Sequence, residues 1–266
     1  MSIISICAKK GGNGKTTTSI NFAVALVAMK KKVLLIDMDS QCNLSSGIGV
    51  YDPYLVSIYS VLMDQCQISQ TIQNKGNLDV IQAELDLNEL ENSFVINTDR
   101  LLRLKSAIST IKDNYDYIII DTPPAVGFLT QSALIASDEM IIVSQADKFS
   151  LDGLYQLDKE IQKLKSKYNS NLKINGILIT RFVPRTNMRQ MIREEMSKIA
   201  DTLKTKIYRT SIRENISIPE SQVLKMSIYK HSRRSKGAID YYAFSKEYLQ
   251  DKGEKTSDLM FLNSEI

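Results

Sequence analysis

The stretch Ile3-Ile4-Ser5-Ile6-Cys7-Ala8-Lys9-Lys10-Gly11-Gly12-Asn13-Gly14-Lys15-Thr16-Thr17 decides how the rest of the chain is read. Ile3 to Cys7 is apolar on nearly every position, as in a strand buried on both faces. A glycine-rich turn follows. From Thr17 to Met29, Ile20, Ala23, Val24, Val27 and Ala28 then fall at helical spacing. A turn of this kind, running from a strand into a helix N-terminus, brings backbone N–H groups close to an anion, and a lysine and a hydroxyl complete a cradle for a polyphosphate. Gly11, Gly12, Asn13 and Gly14 make the turn, Lys15 is placed for the β- and γ-phosphates, Thr16 for Mg²⁺ and Thr17 for the α-phosphate. The common pattern G-x-x-x-x-G-K-[ST] is not met in full, because its first glycine falls at Lys9, and Lys10 is an extra lysine ahead of the usual one. The competing reading is a strand-to-helix turn that binds nothing or another anion; the strand before it and the amphipathic helix after it favour phosphate.

Working outward, further apolar runs at Val33 to Ile36, Leu78 to Ile81, Tyr117 to Ile120, Met140 to Val143 and Ile177 to Ile179 read as buried strands. Helices are expected at Thr98 to Lys112, Gly153 to Lys167, Met188 to Leu203 and Lys236 to Gln250, whereas Gly47 to Gln73 has no clear period. Strands alternating with helices predict an α/β fold: one doubly wound, mostly parallel sheet with helices on both faces, a P-loop NTPase architecture. With 266 residues and 43% hydrophobic side chains, one large domain is expected over residues 1–250, with a frayed tail at 251–266. No apolar run is long enough to span a membrane, and Met1 to Ala8 is too short for a signal-peptide core, so a cytoplasmic protein is expected. Cys7, Cys42 and Cys66 form no C-x-x-C pair and His231 is the only histidine, which predicts reduced, ordinary cysteines without zinc or a disulfide framework.

Carboxylates stand at two strand ends. Asp121 closes the run Tyr117-Ile118-Ile119-Ile120 before Thr122-Pro123-Pro124, where a metal-side carboxylate is found in phosphate-loop enzymes, often acting through water. Val33-Leu34-Leu35-Ile36-Asp37-Met38-Asp39 ends in two, on the same side of the strand, and the outer one, Asp39, reaches further. Asp39 has two roles open to it, activation of a water and capping of a turn. Thr16, Asp39 and Asp121 are the candidate oxygen ligands of Mg²⁺.

The formal charge of +4 is unevenly spread: from Arg181 to Lys236 there are 14 Lys/Arg against 5 Asp/Glu. Arg185, Arg189 and Arg193 are four apart and share a helix face; Arg213, Lys225, Lys230, Arg233, Arg234 and Lys236 follow less regularly. Such a segment suits salt-sensitive, sequence-tolerant contacts to duplex phosphates, and equally a solvated helix face.

The string Lys10 to Thr18, then Asp37-Met38-Asp39-Ser40-Gln41 with Asn43, then Asp121-Thr122-Pro123-Pro124 resembles the deviant Walker family of ParA and MinD, and most closely the ParA/Soj partition ATPases. Arg185-Thr186-Asn187, Ile212-Arg213-Glu214-Asn215 with Glu220, and Ser235-Lys236-Gly237-Ala238 extend the likeness from Ile3 to about Leu249. It implies an ATP and Mg²⁺ site, with Thr180, Arg181 and the Ile212-Arg213 region as candidates for the adenine. It implies an ATP-dependent homodimer in which Lys10 reaches the partner's phosphates, and it ties Asp39 to water activation. It implies nonspecific DNA binding on the nucleoid, release through a ParB-like protein, and movement of plasmids or chromosomes. Spacing alone leaves Lys10 free to fold onto its own nucleotide or face solvent. Two departures stand out: Ser40 is where the family usually has proline, which loosens the loop, and Asn13 replaces a commonly apolar residue.

Three relatives fit less well. A MinD-like membrane-surface ATPase is the runner-up, but residues from Asp251 onward make a poor amphipathic anchor, so no membrane partner is expected. Cluster-ligating cysteines in mid-chain, as in the nitrogenase iron protein branch, are absent, and the tail lacks the tyrosine cluster of kinase relatives. The loop begins so early that no upstream helix-turn-helix extension is expected.

Overall fold

The computed structural model of the chain describes residues 1–92, 98–124, 126–183 and 187–256, with backbone only at 148–152 and 187–193. Eight strands, β1 (Ser2–Cys7), β2 (Val33–Asp37), β3 (Ile72–Lys75), β4 (Leu78–Ile81), β5 (Tyr117–Asp121), β6 (Glu139–Gln145), β7 (Lys173–Phe182) and β8 (Ile207–Arg213), form one sheet in the order β3-β4-β2-β5-β1-β6-β7-β8. Every pairing is parallel except β3 with β4. The helices are α1 (Lys15–Ala28), α2 (Asn43–Gly47), α3 (Ile58–Leu62), α4 (Leu87–Glu91), α5 (Thr98–Ser109), α6 (Phe128–Ala136), α7 (Lys148–Lys167), α8 (Asn187–Thr202), α9 (Ser217–Val223), α10 (Ile228–Ser232) and α11 (Lys236–Asp251).

Consecutive apolar positions in the central strands serve two cores. Leu34, Ile36, Ile118 and Ile120 face a core built with α3 to α8, and Val33, Leu35, Tyr117 and Ile119 face one built with α1, α2, α10 and α11. Side chains alternate faces along a strand, so a strand buried on both sides has no polar position to spare. Each fully buried isoleucine or leucine contributes roughly 1.5–3 kcal/mol. In the second core Phe22 of α1 packs against Phe244 and Tyr248 of α11, with ring centroids 5.1 Å apart in both pairs.

The edge strand β8 has outward N–H groups that need acceptors. Carboxylates of α11 supply them: Glu247 accepts from Arg209 N (2.8 Å) and Thr210 N (2.9 Å), and Asp240 accepts from Arg213 N (2.9 Å). The packed chain continues past residue 250. Lys252 donates to Ser2 Oγ (2.6 Å) and Glu139 Oε1 (2.7 Å), and Glu254 pairs with Lys31 and Tyr117. Residues 257–266, the rest of the expected tail, lie outside the described residues. Among the described residues no helix is long and apolar enough to cross a membrane.

Candidate nucleotide site

The chain crosses from one half of the sheet to the other at β1, which lies between β5 and β6. In such sheets the binding crevice opens at the strands' carboxyl ends, beside the switch point. The loop Lys9 to Gly14 occupies that position. Gly12 and Gly14 have φ of 78° and 87°, the left-handed region that favours glycine, and a Cβ on Gly11 or Gly12 would meet nothing within 4 Å. The loop is held from the β6–β7 side, where Thr180 Oγ1 donates to Asn13 O (2.7 Å) and Gln145 Nε2 to Gly12 O (3.1 Å). Lys9, at the place of the missing glycine, forms a two-pronged ion pair with Glu160 of α7 at 2.7 and 2.9 Å. Lys10 is exposed at the outer edge of the loop, and Lys15 is buried.

Register sets the carboxylates. Asp37 of β2 is the parallel partner of Asp121 of β5, and both point to the face that carries α1 and α2. Asp121 accepts from Thr16 Oγ1 (2.7 Å) and Ser19 Oγ (2.8 Å), two hydroxyls three residues apart on α1. Burial pushes its pKa up to about 7; the charge of Asp37 adds to this, while the bonds to Thr16 and Ser19 and the charge of Lys15 oppose it. Asp37 shapes the turn after β2 by accepting from Asp39 N (3.1 Å), Ser45 N (2.9 Å) and Ser45 Oγ (2.6 Å). Burial raises its pKa to about 6. Asp39 accepts from Gln41 N at 3.0 Å through Oδ1, the turn-capping role. Its Oδ2 has no protein donor among the described residues, and the side chain lines the chamber that holds Lys15 and Thr16. The turn-capping role is therefore filled, and Asp39 also borders the chamber. Burial also raises the Cys7 thiol to about 12, an unreactive residue.

Two connected chambers meet at the loop. The first, about 600 Å³, is lined by Thr180, Arg181, Ile212, Arg213 and Tyr241 among others, which gathers the residues singled out for the adenine. The second, about 630 Å³, runs from Gly11 and Lys15 to Asp39, Gln41 and Pro124. Gly12, Gly14, Thr17 and Gln222 line both, so a nucleotide with its base in the first and its phosphates in the second passes over Thr17. Each chamber has the size usual for a small-molecule site.

The set of oxygen donors fits a hard divalent cation that arrives with its nucleotide. The Thr16 hydroxyl gives its proton to Asp121 and keeps its lone pairs for a metal, and among the described residues no cluster of three metal-ligating side chains forms a cage.

The basic residues divide. Arg213 is gripped by Asp240, with Nε at 2.9 and 3.2 Å from its two oxygens and Nη2 at 2.6 Å, on the wall of the first chamber. Lys225 lies on the wall of the second. Lys230, Arg234 and Lys236 are exposed around α10 and the start of α11, and Arg233 is half-buried there. Arg189 and Arg193 sit on α8, in the opposite layer, and Arg185 and the side chains of Arg189 and Arg193 lie outside the described residues. Sequence reading passed over Ser19, Ser45, Gln145 and Gln222, which border the site or bond to residues that do. Only Ser19 carried a signal, being four residues after Lys15 on one helix face.

An AAA domain family profile matches residues 1–174. Over 248 residues the chain is 38% identical to the sporulation initiation inhibitor protein Soj of Bacillus subtilis, covering 92% of this chain and 97% of that protein. It is 35% identical to the chromosome partitioning protein ParA of Myxococcus xanthus, covering 93% of this chain and 88% of the relative. Its fold is similar to the solved structure of cobyrinic acid a,c-diamide synthase from Mycobacterium smegmatis with bound ADP and magnesium, with a TM-score of 0.76, 26% identity and coverage of 96% and 98%. The phosphate loop at the switch point and the likeness to Soj and ParA along nearly the whole chain place this protein in the ParA/Soj family of partition ATPases.

Proposed function

We propose that this chain hydrolyses ATP to ADP and phosphate with Mg²⁺, slowly alone and faster with a ParB-like partner, and uses the cycle to segregate a plasmid or chromosome. The observation that carries the reading is the second chamber, where Lys15 and Thr16 face a site also lined by Asp39, while Asp121 backs Thr16. Lys15 and the loop N–H groups bind and orient the phosphates. Asp39, fixed through Oδ1, offers Oδ2 to hold a water and take its proton. Thr16 and Asp121 would hold Mg²⁺, which when bound offsets phosphate charge. With ATP, two copies pair and Lys10 of each reaches the phosphates held by the other. The pair binds duplex DNA on the nucleoid without sequence preference through basic residues of this segment, Arg185, Arg189 and Arg193 together with Lys230, Arg233, Arg234 and Lys236.

The test is co-sedimentation with duplex DNA of mixed sequence and, separately, with anionic liposomes, each with and without ATP and Mg²⁺. ATP-dependent capture by DNA, lost by Lys15→Ala and weakened steeply by salt, is expected. Lipid capture without DNA capture would instead favour a MinD-like membrane-surface ATPase.

A further inference from the structure

α9 and the turn after it form a third wall of the nucleotide site. Gln222 Nε2 donates to Thr17 Oγ1 at 2.8 Å, which ties the end of α9 to the first turn of α1. The chain then reverses: Lys225 N bonds Gln222 O (3.0 Å), Met226 N bonds Ser221 O (2.9 Å), and Lys225 adopts φ of 54°. A helix that ends this way usually has glycine in the left-handed position, because a Cβ there is strained. A lysine is held there instead. Strain kept in place by surrounding bonds is a pointer to a role for the side chain.

The direction of that side chain is set by its neighbours. A Cβ on Gly49, just past α2, would lie 3.4 Å from Lys225 Cβ, 3.5 Å from its Cδ and 3.6 Å from Lys75 Nζ. The aliphatic part of Lys225 therefore lies along Gly49, just past the end of α2, whose Ser46 and Gly47 line the chamber with it. Lys225 lines the phosphate chamber and is missing from the base-side chamber, whose wall ends at Gln222. Neither lysine forms an ion pair with a carboxylate among the described residues. An ammonium without a carboxylate partner on the wall of the chamber raises the local positive potential where a triphosphate would lie.

We infer that Lys225 is a ligand of the nucleotide's terminal phosphates on its own chain, positioned by the Gln222–Thr17 bond, and is not a DNA contact. This rests on the ATP-binding reading above, which Lys15→Ala tests independently. Lys225→Gly, which removes the charge and the strain, is compared with Lys225→Asn, which tolerates the left-handed backbone, and Lys225→Arg, which keeps the charge. Titration calorimetry with ATP and with ADP, thermal unfolding, and DNA binding at saturating ATP analogue are the readouts. Expected are a Tm higher by about 2 °C for the nucleotide-free glycine variant, ATP binding weakened roughly tenfold by glycine and asparagine, a smaller loss for ADP, recovery by arginine, and unchanged DNA affinity. Unchanged ATP affinity in both uncharged variants overturns the inference, and a fall in DNA affinity alone returns Lys225 to the DNA surface. A wild-type chain that binds no ATP, or a Lys15→Ala chain that binds it equally well, overturns the broader reading as well.

Discussion

At the residue scale, Asp121 is a fully buried carboxyl facing a second one, Asp37, beside the phosphate loop. Burial and the nearby Asp37 raise its pKa from 3.8 to about 7, so the folded chain favours its neutral form. A group raised in this way stabilises the fold fully below its ordinary pKa, and the contribution is lost as pH rises through the folded value. Without metal, therefore, unfolding should show Asp121 costing stability progressively between about pH 4 and 7. A cation needs the ionised form, so binding of ATP with Mg²⁺ should strengthen from pH 6 to 8 and release protons. Asp121→Asn should raise Tm at pH 8 in the metal-free protein, flatten that pH dependence, and weaken Mg²⁺-dependent ATP binding more than tenfold. Thermal scans and calorimetry in buffers of different ionisation enthalpy check both halves. A metal-free Tm unaffected by the substitution at pH 8 would mean that Asp121 is already comfortably charged. Most of this was legible: Asp121, Lys15 and Thr16 announce themselves by position. Ser19 and Ser45 do not, because a hydroxyl's partner across a sheet is fixed by register and leaves no trace in local spacing.

At the element scale, α4 links the turn after β2 to the start of α6. Ser40 Oγ donates to Asn88 Oδ1 at 2.7 Å, and Glu91 Oε2, one turn on, accepts from Leu129 N at 2.9 Å in the first turn of α6. The looseness expected of Ser40 in place of proline is thus offset by a side-chain bond from an element that sequence reading left undescribed. Asn88→Ala and Ser40→Ala should each lower kcat for ATP severalfold while leaving KM for ATP within about twofold, and the double variant should be no worse than either single one, since both remove one bond. Additive losses in steady-state assays would show that each residue acts alone. The elements missed were missed for physical reasons. α6 is buried all round, so Phe128 to Ala136 shows no apolar stripe. β8 mixes Arg209 and Arg213 into a strand whose outer edge is satisfied by α11 carboxylates, and β3 is a short antiparallel edge strand reached only through its turn with β4. The long, consecutively apolar central strands were readable because both of their faces are core.

At the scale of the whole molecule, the arrangement of loop and chambers makes pairing of two chains testable. Lys10 is exposed and is not on the wall of the second chamber, whereas Lys15 is buried and lines it. If Lys10 completes the other copy's site, a chain that retains ATP should stay paired, and pairing should fail when Lys10 is shortened although ATP still binds. Asp39→Ala provides the retained state: hydrolysis should fall by roughly 10²-fold or more, while Lys15, Thr16 and the loop N–H groups are untouched. Light scattering of Asp39→Ala with ATP and Mg²⁺ should give about twice the 30.0 kDa of one chain. The double variant Lys10→Ala/Asp39→Ala should remain at the mass of one chain at the same concentration, with ATP affinity within a few-fold. Should the double variant pair as tightly as Asp39→Ala, Lys10 serves its own nucleotide or the solvent, the alternatives its spacing allowed. Should it lose ATP altogether, the contact lies within one chain. Normal hydrolysis by Asp39→Ala would instead move the catalytic carboxylate elsewhere, and the free Oδ2 at the chamber wall would then have only the turn to explain it.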